Sequence, residues 1–282
     1  MNPAPPAVDT PVTVLRAPSR WPPLALGEVW ADRELLLTLA LRDVKLRYRQ
    51  TALGVFWVVL QPLLAATILA FVFGRVAGVT AGGVSHFAFA FAGFLAWSAF
   101  AASLNRSAPA IVQNVALVSK VFFPRLVLPL SASLASLVDA GVGLLLATAV
   151  VAAGEPGRLA PTLLATPFFL LTAALLGAGV GLGASALMVP FRDVQHVLPV
   201  FVQLTLFASP VAYPVAAVPE PYRPLFQLNP LAGLGEGLRW SLLGLPPASW
   251  PAIAYAVAVS LVLFLAGVLV FRSLEHRFAD VI

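Results

Sequence analysis

The stretch LRDVKLRYRQTALGVFW, residues 41–57, decides the reading of this chain. It crowds Arg42, Asp43, Lys45, Arg47 and Arg49 together, and after Arg49 no charged residue appears until Arg75. Charged residues make up only 10% of the 282 positions, so the cluster and its abrupt end are both unusual. Such an edge is expected where water gives way to lipid, because charge inside a bilayer is costly.

Composition supports that reading. The chain is 60% hydrophobic with a mean hydropathy of +0.93, whereas soluble domains hold about 45–50% apolar and about 25% charged residues. In lipid the backbone must satisfy its own polar groups, which helices do internally. The expected class is an all-α integral membrane protein. Net charge is +5, but the basic residues fall between apolar runs. They read as topology signals rather than a nucleic-acid surface.

A span needs roughly 20 mainly apolar residues. Six runs qualify: about 52–74, 86–105, 126–152, 161–189, 194–215 and 250–271. Residues 1–23 read as a flexible proline-rich tail, not a signal peptide, residues 24–50 as an amphipathic interface region, and 51–282 as the six-span domain. Six spans put both termini on one side. Grouping the termini with the second and fourth loops collects Arg16, Arg20, Arg33, Arg42, Lys45, Arg47, Arg49, Arg106, Lys120, Arg125, Arg192, Arg272 and Arg277. The other side keeps Arg75, Arg158, Arg223 and Arg239. By the positive-inside rule both termini are expected in the cytoplasm.

Residues 35–49, read as a helix, place Leu37, Leu41, Val44 and Tyr48 on one face and Arg42, Lys45 and Arg49 on another. Asp43 and Arg47 form an acid-first i,i+4 pair, worth about 0.2–0.5 kcal/mol. This is a basic amphipathic helix running into the first span. Lipid anchoring and docking of another protein both fit it. The loop 105–125 holds the apolar IVQNVALV, a short interfacial helix. The outward loop 218–247 suits short re-entrant helices, with Asn229-Pro230 marking a start.

Little in the chain points to catalysis. There is no cysteine, and His86, His196 and His276 have no metal-ligand spacing, so no metal site is expected. The two lysines, Lys45 and Lys120, follow Val44 and Ser119, so no Gly-Lys-Ser/Thr phosphate loop exists. Asp139 is the one acid well inside a predicted span. Hydrogen bonds to nearby serines or backbone in a helix interface are favoured for it over a proton relay, which needs several such groups. Arg192-Asp193 reads equally as a capped turn or a coupling contact. Aromatics concentrated in the first two spans read mainly as packing, with conduit lining the sharper alternative.

Four stretches in order carry a family likeness: LRDVKLRYRQTALGVFWVVLQPLL, SKVFFPRLVLPL, FRDVQHVLPVFVQLTLFASPVAYP and LNPLAGLGEGLRWSLLG. With the six-span plan, the chain resembles the permease subunit of ABC-2 type exporters of lipid-linked polysaccharide, such as O-antigen, capsule or teichoic acid. The resemblance implies a homodimer in a bacterial inner membrane, with two copies of a separate ATPase that binds ATP and Mg2+. This chain would bind no cofactor. It implies ATPase coupling by Arg42, Asp43, Lys45, Arg47, Tyr48 and Arg49, then Gln113, Asn114, Lys120 and Arg125. It implies channel lining by Phe56, Trp57, Gln203, Phe207 and Tyr213, and an outer gate at Asn229, Pro230, Glu236 and Arg239. The alternatives are a drug or peptide exporter permease, a membrane-embedded glycan-processing enzyme or a secondary transporter. The entry motif speaks against the first, missing clusters of acids or histidines against the second, and missing repeats and intramembrane charge against the third.

Overall fold

A computed structural model of the chain describes residues 24, 26–49, 54–154 and 161–278. The proline-rich tail and the start of the first span at Thr51 lie outside the described residues. Within them every regular element is helical. The elements are α1 (Leu26–Ala31), α2 (Arg33–Arg49), α3 (Gly54–Ala70), α4 (His86–Ser107), α5 (Ala110–Gln113), α6 (Val115–Lys120), α7 (Val127–Gly154), α8 (Thr166–Met188), α9 (Val194–Ala208), α10 (Arg223–Gln227), α11 (Pro230–Leu243) and α12 (Trp250–Leu274).

Five of the helices are long and apolar enough to cross a membrane: Phe56–Val76, His86–Ser107, Val127–Gly154, Pro161–Met188 and Trp250–Leu274. The remaining expected run, the fifth at 194–215, differs. It forms α9, a 15-residue helix that stops at Ala208, about 22 Å long at 1.5 Å per residue. Pro210 is the physical cause. It disfavours helical backbone at the residue before it, and Ser209 is extended at φ −107°, ψ 143°.

The core is a bundle of α4, α7, α8, α11 and α12, with α8 packed against both α4 and α12. Glycines allow those approaches. A Cβ on Gly177 or Gly181 would strike Phe100 and Ser107 of α4, and one on Gly179 or Gly267 would strike the α12 or α8 backbone. Close contact between small residues is how helices associate in lipid, where burial of apolar surface offers little drive. A second apolar cluster joins Val29, Leu39, Ile111, Leu126, Phe271 and Phe278 at the α2 end.

Two helices stand apart from this core. Along α3 the side chains Phe56, Trp57, Leu64 and Ile68 are exposed, and Ala66 is buried. On α9 only Val202 is buried, while Val197, Val200, Leu204 and Phe207 are exposed. These are the first and fifth expected spans. They form the loosely held wall of the chain.

Helix α2 lies against α7. Leu39 and Ala40 are buried, whereas Leu37 and Leu41 point outward at 50% and 56% exposure. An ion pair that helical periodicity does not reveal also joins α2 to α7.

Candidate functional site

That ion pair sits where α2, α4 and α7 meet. Asp139, on the second turn-pair of α7 beyond Ser131, receives Arg47 from α2 and Arg106 from the last turn of α4 on the same oxygen, Oδ2. This corrects the expectation that Asp139 bonds to nearby serines or backbone. Serine partners lie closer in sequence, but Ser131, Ser133 and Ser136 each donate to a carbonyl of α7 itself. A carboxylate between two guanidiniums is also the stronger arrangement, because charge-assisted bonds exceed neutral ones about twofold. Arg106 gains further from its place near the negative end of the α4 dipole.

The remaining residues of the basic cluster divide into bonded and free-standing groups. Arg42 donates to Asp43 Oδ1 at 2.9 and 3.1 Å and to Asn114 Oδ1 at 3.3 Å, so it ties α2 to the loop after α5. Asn114 is oriented by its own bond to the Ala110 carbonyl at 2.8 Å. Arg125 donates to the Glu275 carbonyl at 2.8 Å and lies over the Phe278 ring, joining the start of α7 to the end of α12. Lys45, Arg49, Gln113 and Lys120 are exposed on the same end of the molecule. The Tyr48 side chain lies outside the described residues. Arg192 and Asp193 are exposed before α9, and the Asp193 side chain makes no capping bond.

Two cavities meet at Arg106. One, of about 330 Å3, opens between α3, α4 and α7 and is lined by Arg47, Gln61, Trp97, Asn105, Arg106 and Asp139 among others. The other, of about 440 Å3, lies under α2 and is lined by Arg42, Asp43, Asn105, Arg106, Gln113 and Asn114.

At the opposite end of α4 the chain that follows α9 is held by side chains rather than by secondary structure. Asn229 caps α11 by accepting from Leu231 N–H at 3.0 Å, and its amide donates to the Ala208 carbonyl and Ser209 Oγ at 3.1 and 2.9 Å. Arg239, buried at 4% exposure, donates to the Pro210 and Val211 carbonyls at 2.7 Å each and to the Phe89 carbonyl at 3.4 Å. Its guanidinium lies 3.9 Å from the centroid of the Phe89 ring. His86 Nε2 donates to the Ala212 carbonyl at 2.8 Å. Buried irregular backbone survives only where its polar groups are satisfied. Here α4 and α11 satisfy the carbonyls of 208 and 210–212.

Of the expected outer-gate residues, Asn229 and Arg239 therefore join α11 to the chain that ends α9, and Pro230 is the first residue of α11. Glu236 faces a cavity of about 300 Å3 with Arg239, Thr80 and the proline pair 246–247. Its Oε2 is buried without a hydrogen-bond partner. Burial pushes its carboxyl above the usual range, opposed by Arg239 and the amides of Ser249 and Ala248.

The expected lining residues do not form one closed passage within a single chain. Phe56, Trp57, Gln203 and Phe207 are exposed on α3 and α9. Tyr213 lies beside Phe73 and Phe226, with ring centroids 5.4 and 6.4 Å away, and donates to the Phe207 carbonyl. No group of three or more histidine, cysteine or acidic side chains able to hold a metal occurs among the described residues.

Comparison with known proteins adds the following. Residues 34–243 match the family model described as ABC-2 type transporter. The chain is 32% identical over 260 residues to the O-antigen export system permease protein RfbA of Myxococcus xanthus, covering 90% of this chain and 97% of that protein. It is 27% identical over 255 residues to RfbA of Klebsiella pneumoniae, covering 88% and 95% respectively. It is also similar to the polysialic acid transport protein KpsM of Escherichia coli, 28% identical over 244 residues, covering 84% and 92%.

Proposed function

This chain belongs to the ABC-2 type transporter family, and from that premise we propose that it is the membrane permease of a polysaccharide exporter driven by a separate ATPase. Two copies of the chain and two ATPase subunits move a lipid-linked glycan outward across a bacterial inner membrane. Both termini are cytoplasmic, and α9 serves as the short fifth of six spans. The basic excess on the α2 end supports this orientation. The missing phosphate loop supports a separate ATPase.

The observation that carries the proposal is the bonding of α2 into the bundle. ATP draws the partner subunits together, and they act on the exposed Lys45, Arg49 and Lys120. Arg47–Asp139–Arg106 and Arg42–Asn114 pass the displacement from α2 to α4, α7 and the loop after α5. The passage forms where two copies meet along α3 and α9, whose apolar faces are unpacked within one chain. At the outer end α11 moves with the end of α9 through Asn229 and Arg239.

The test is genetic. Cells lacking this protein should accumulate glycan inside and lose it from the surface, and the wild-type gene should restore it. Normal surface glycan in the deletion strain would contradict the proposal. The purified chain alone should show negligible ATP hydrolysis.

A further inference from the structure

Helix α9 is held on the bundle at few points. Val202 is its one buried residue, Leu198 packs partly against the core, and Pro199 removes a backbone N–H from its interior. Its outer end is pinned. Ser209 Oγ donates to the Thr205 carbonyl at 2.6 Å and accepts from the Asn229 amide at 2.9 Å, so the end of α9 is tied to the cap of α11. A helix pinned at one end can still pivot about it. A second fixed point along its length is what sets its direction.

Trp97 of α4 supplies that point. Its indole Nε1 donates to Thr205 Oγ1 at 3.0 Å. The chemistry of the two groups fixes the sense of the bond. The Thr205 hydroxyl donates its one proton to the Val202 carbonyl at 2.7 Å, and an indole N–H can only donate. Leu198, Val202 and Thr205 fall at spacings of four and three, so the bond lies on the stripe of α9 that faces the bundle. The indole is braced by Phe94, with ring centroids 5.5 Å apart. Trp97 also lines the cavity of about 330 Å3 together with Val58, Gln61 and Pro62 of α3. One side chain thus serves both of the helices that the core holds loosely, and a shift of α3 into that cavity reaches it. We propose that Trp97 is the positioning residue of α9: its bond to Thr205 latches the helix against α4, and release of the bond lets α9 swing about its pinned end at Ser209. The inference rests on the export reading only for calling α9 a wall of the passage.

The experiment needs neither the ATPase nor transport, so its failure and the failure of the export proposal are separable. The chain has no cysteine, so Val200→Cys on α9 and Val262→Cys on the core helix α12, both exposed, place two spin labels without competition. Labelled full-length chain is diluted into unlabelled chain in lipid nanodiscs, and pulsed electron paramagnetic resonance reads the distance between labels within one copy. One dominant, narrow distance is expected with the native Trp97 and Thr205. Thr205→Val keeps the shape of the side chain and removes the acceptor, and Trp97→Phe removes the donor. Each should raise the released fraction, with the ratio of held to released helix falling about threefold, the size of an average hydrogen bond between membrane helices.

Thr205→Ser keeps the hydroxyl and loses a methyl group, so it should retain the native distribution where a packing effect would not. The double variant Trp97→Phe/Thr205→Val should release α9 no further than either single change, because both remove the same bond. If Trp97→Phe does not fold, the two Thr205 variants decide the matter alone. A native distribution in Thr205→Val, a Thr205→Ser distribution as broad as that of Thr205→Val, or additive effects in the double variant would overturn the proposal.

Discussion

Two arginines mark the two ends of α4, and the protein satisfies them in opposite ways. Arg106 meets a carboxylate that it shares with Arg47 from another helix, beside open cavities. Arg239 meets carbonyls of Phe89, Pro210 and Val211 and the face of an aromatic ring, and is almost wholly buried. From residue 89 to residue 106 is about 25 Å along a helix. A carboxylate that already serves two guanidiniums can exchange partners as helices shift. A cage of backbone carbonyls cannot, because the Pro210 and Val211 carbonyls, which lie outside any helix, would lose the donor that Arg239 supplies. In the proposed mechanism the α2 end would transmit displacement, and the far end would move as one piece.

Breaking the caged arginine should have the largest effect on stability. Arg239→Leu leaves the Pro210 and Val211 carbonyls unsatisfied and should cost about 3 kcal/mol or more, read as lower thermal stability of the detergent-solubilised protein. Asp139→Ala leaves two arginines without their shared carboxylate. Fully buried cases cost about 3–5 kcal/mol, and partial exposure reduces this to about 1–2 kcal/mol. Its effect on transport should be larger than its effect on stability suggests, because α2 loses its ion-pair link to α4 and α7.

Lys45→Glu inverts an exposed charge. It should weaken co-purification of the ATPase while leaving thermal stability unchanged. Arg42→Glu should weaken co-purification and also lower thermal stability, because Arg42 is bonded to Asp43 and Asn114. Equal stability in the two variants would show that the Asn114 link carries little weight.

The smallest effect is at Glu236. Its carboxyl is held above its usual range by burial, so the folded state binds its proton more readily than the unfolded chain. The charged form therefore costs stability at neutral pH, and the cost vanishes as pH falls toward the ordinary carboxylate range. Glu236→Gln should stabilise the protein by about 1 kcal/mol at neutral pH. The gain should shrink in acid. A gain that does not depend on pH would place its cause elsewhere.

Much of this was legible in sequence because the physics was local. Charge stops at Arg49 where lipid-facing helix is about to begin, and Asn229-Pro230 caps α11 as a polar side chain before proline should. The order of spans placed Arg239 at the outer loop, though not its carbonyl cage. That cage depends on contacts with Phe89 and with residues 210–211, far off in sequence. The fifth span was overextended because its apolar run continues past Ser209-Pro210, where the backbone cannot stay helical. Asp139 was read in isolation. Its partners Arg47 and Arg106 lie 92 and 33 residues away, and no local pattern joins them. One signal was available: a lone acid inside a span and arginines at the edges of two others are electrostatically incomplete apart.

Periodicity put Leu37 and Leu41 on one apolar face of α2, and packing on α7 buries Leu39 and Ala40. An amphipathic pattern says that a helix lies at an interface. It does not say which side touches protein and which touches lipid.

The most direct test of the coupling account is the reconstituted permease–ATPase complex carrying Asp139→Asn, with ATP hydrolysis and glycan transport measured on the same vesicles. The account predicts that hydrolysis continues while transport per ATP falls sharply. Unchanged transport per ATP would contradict it.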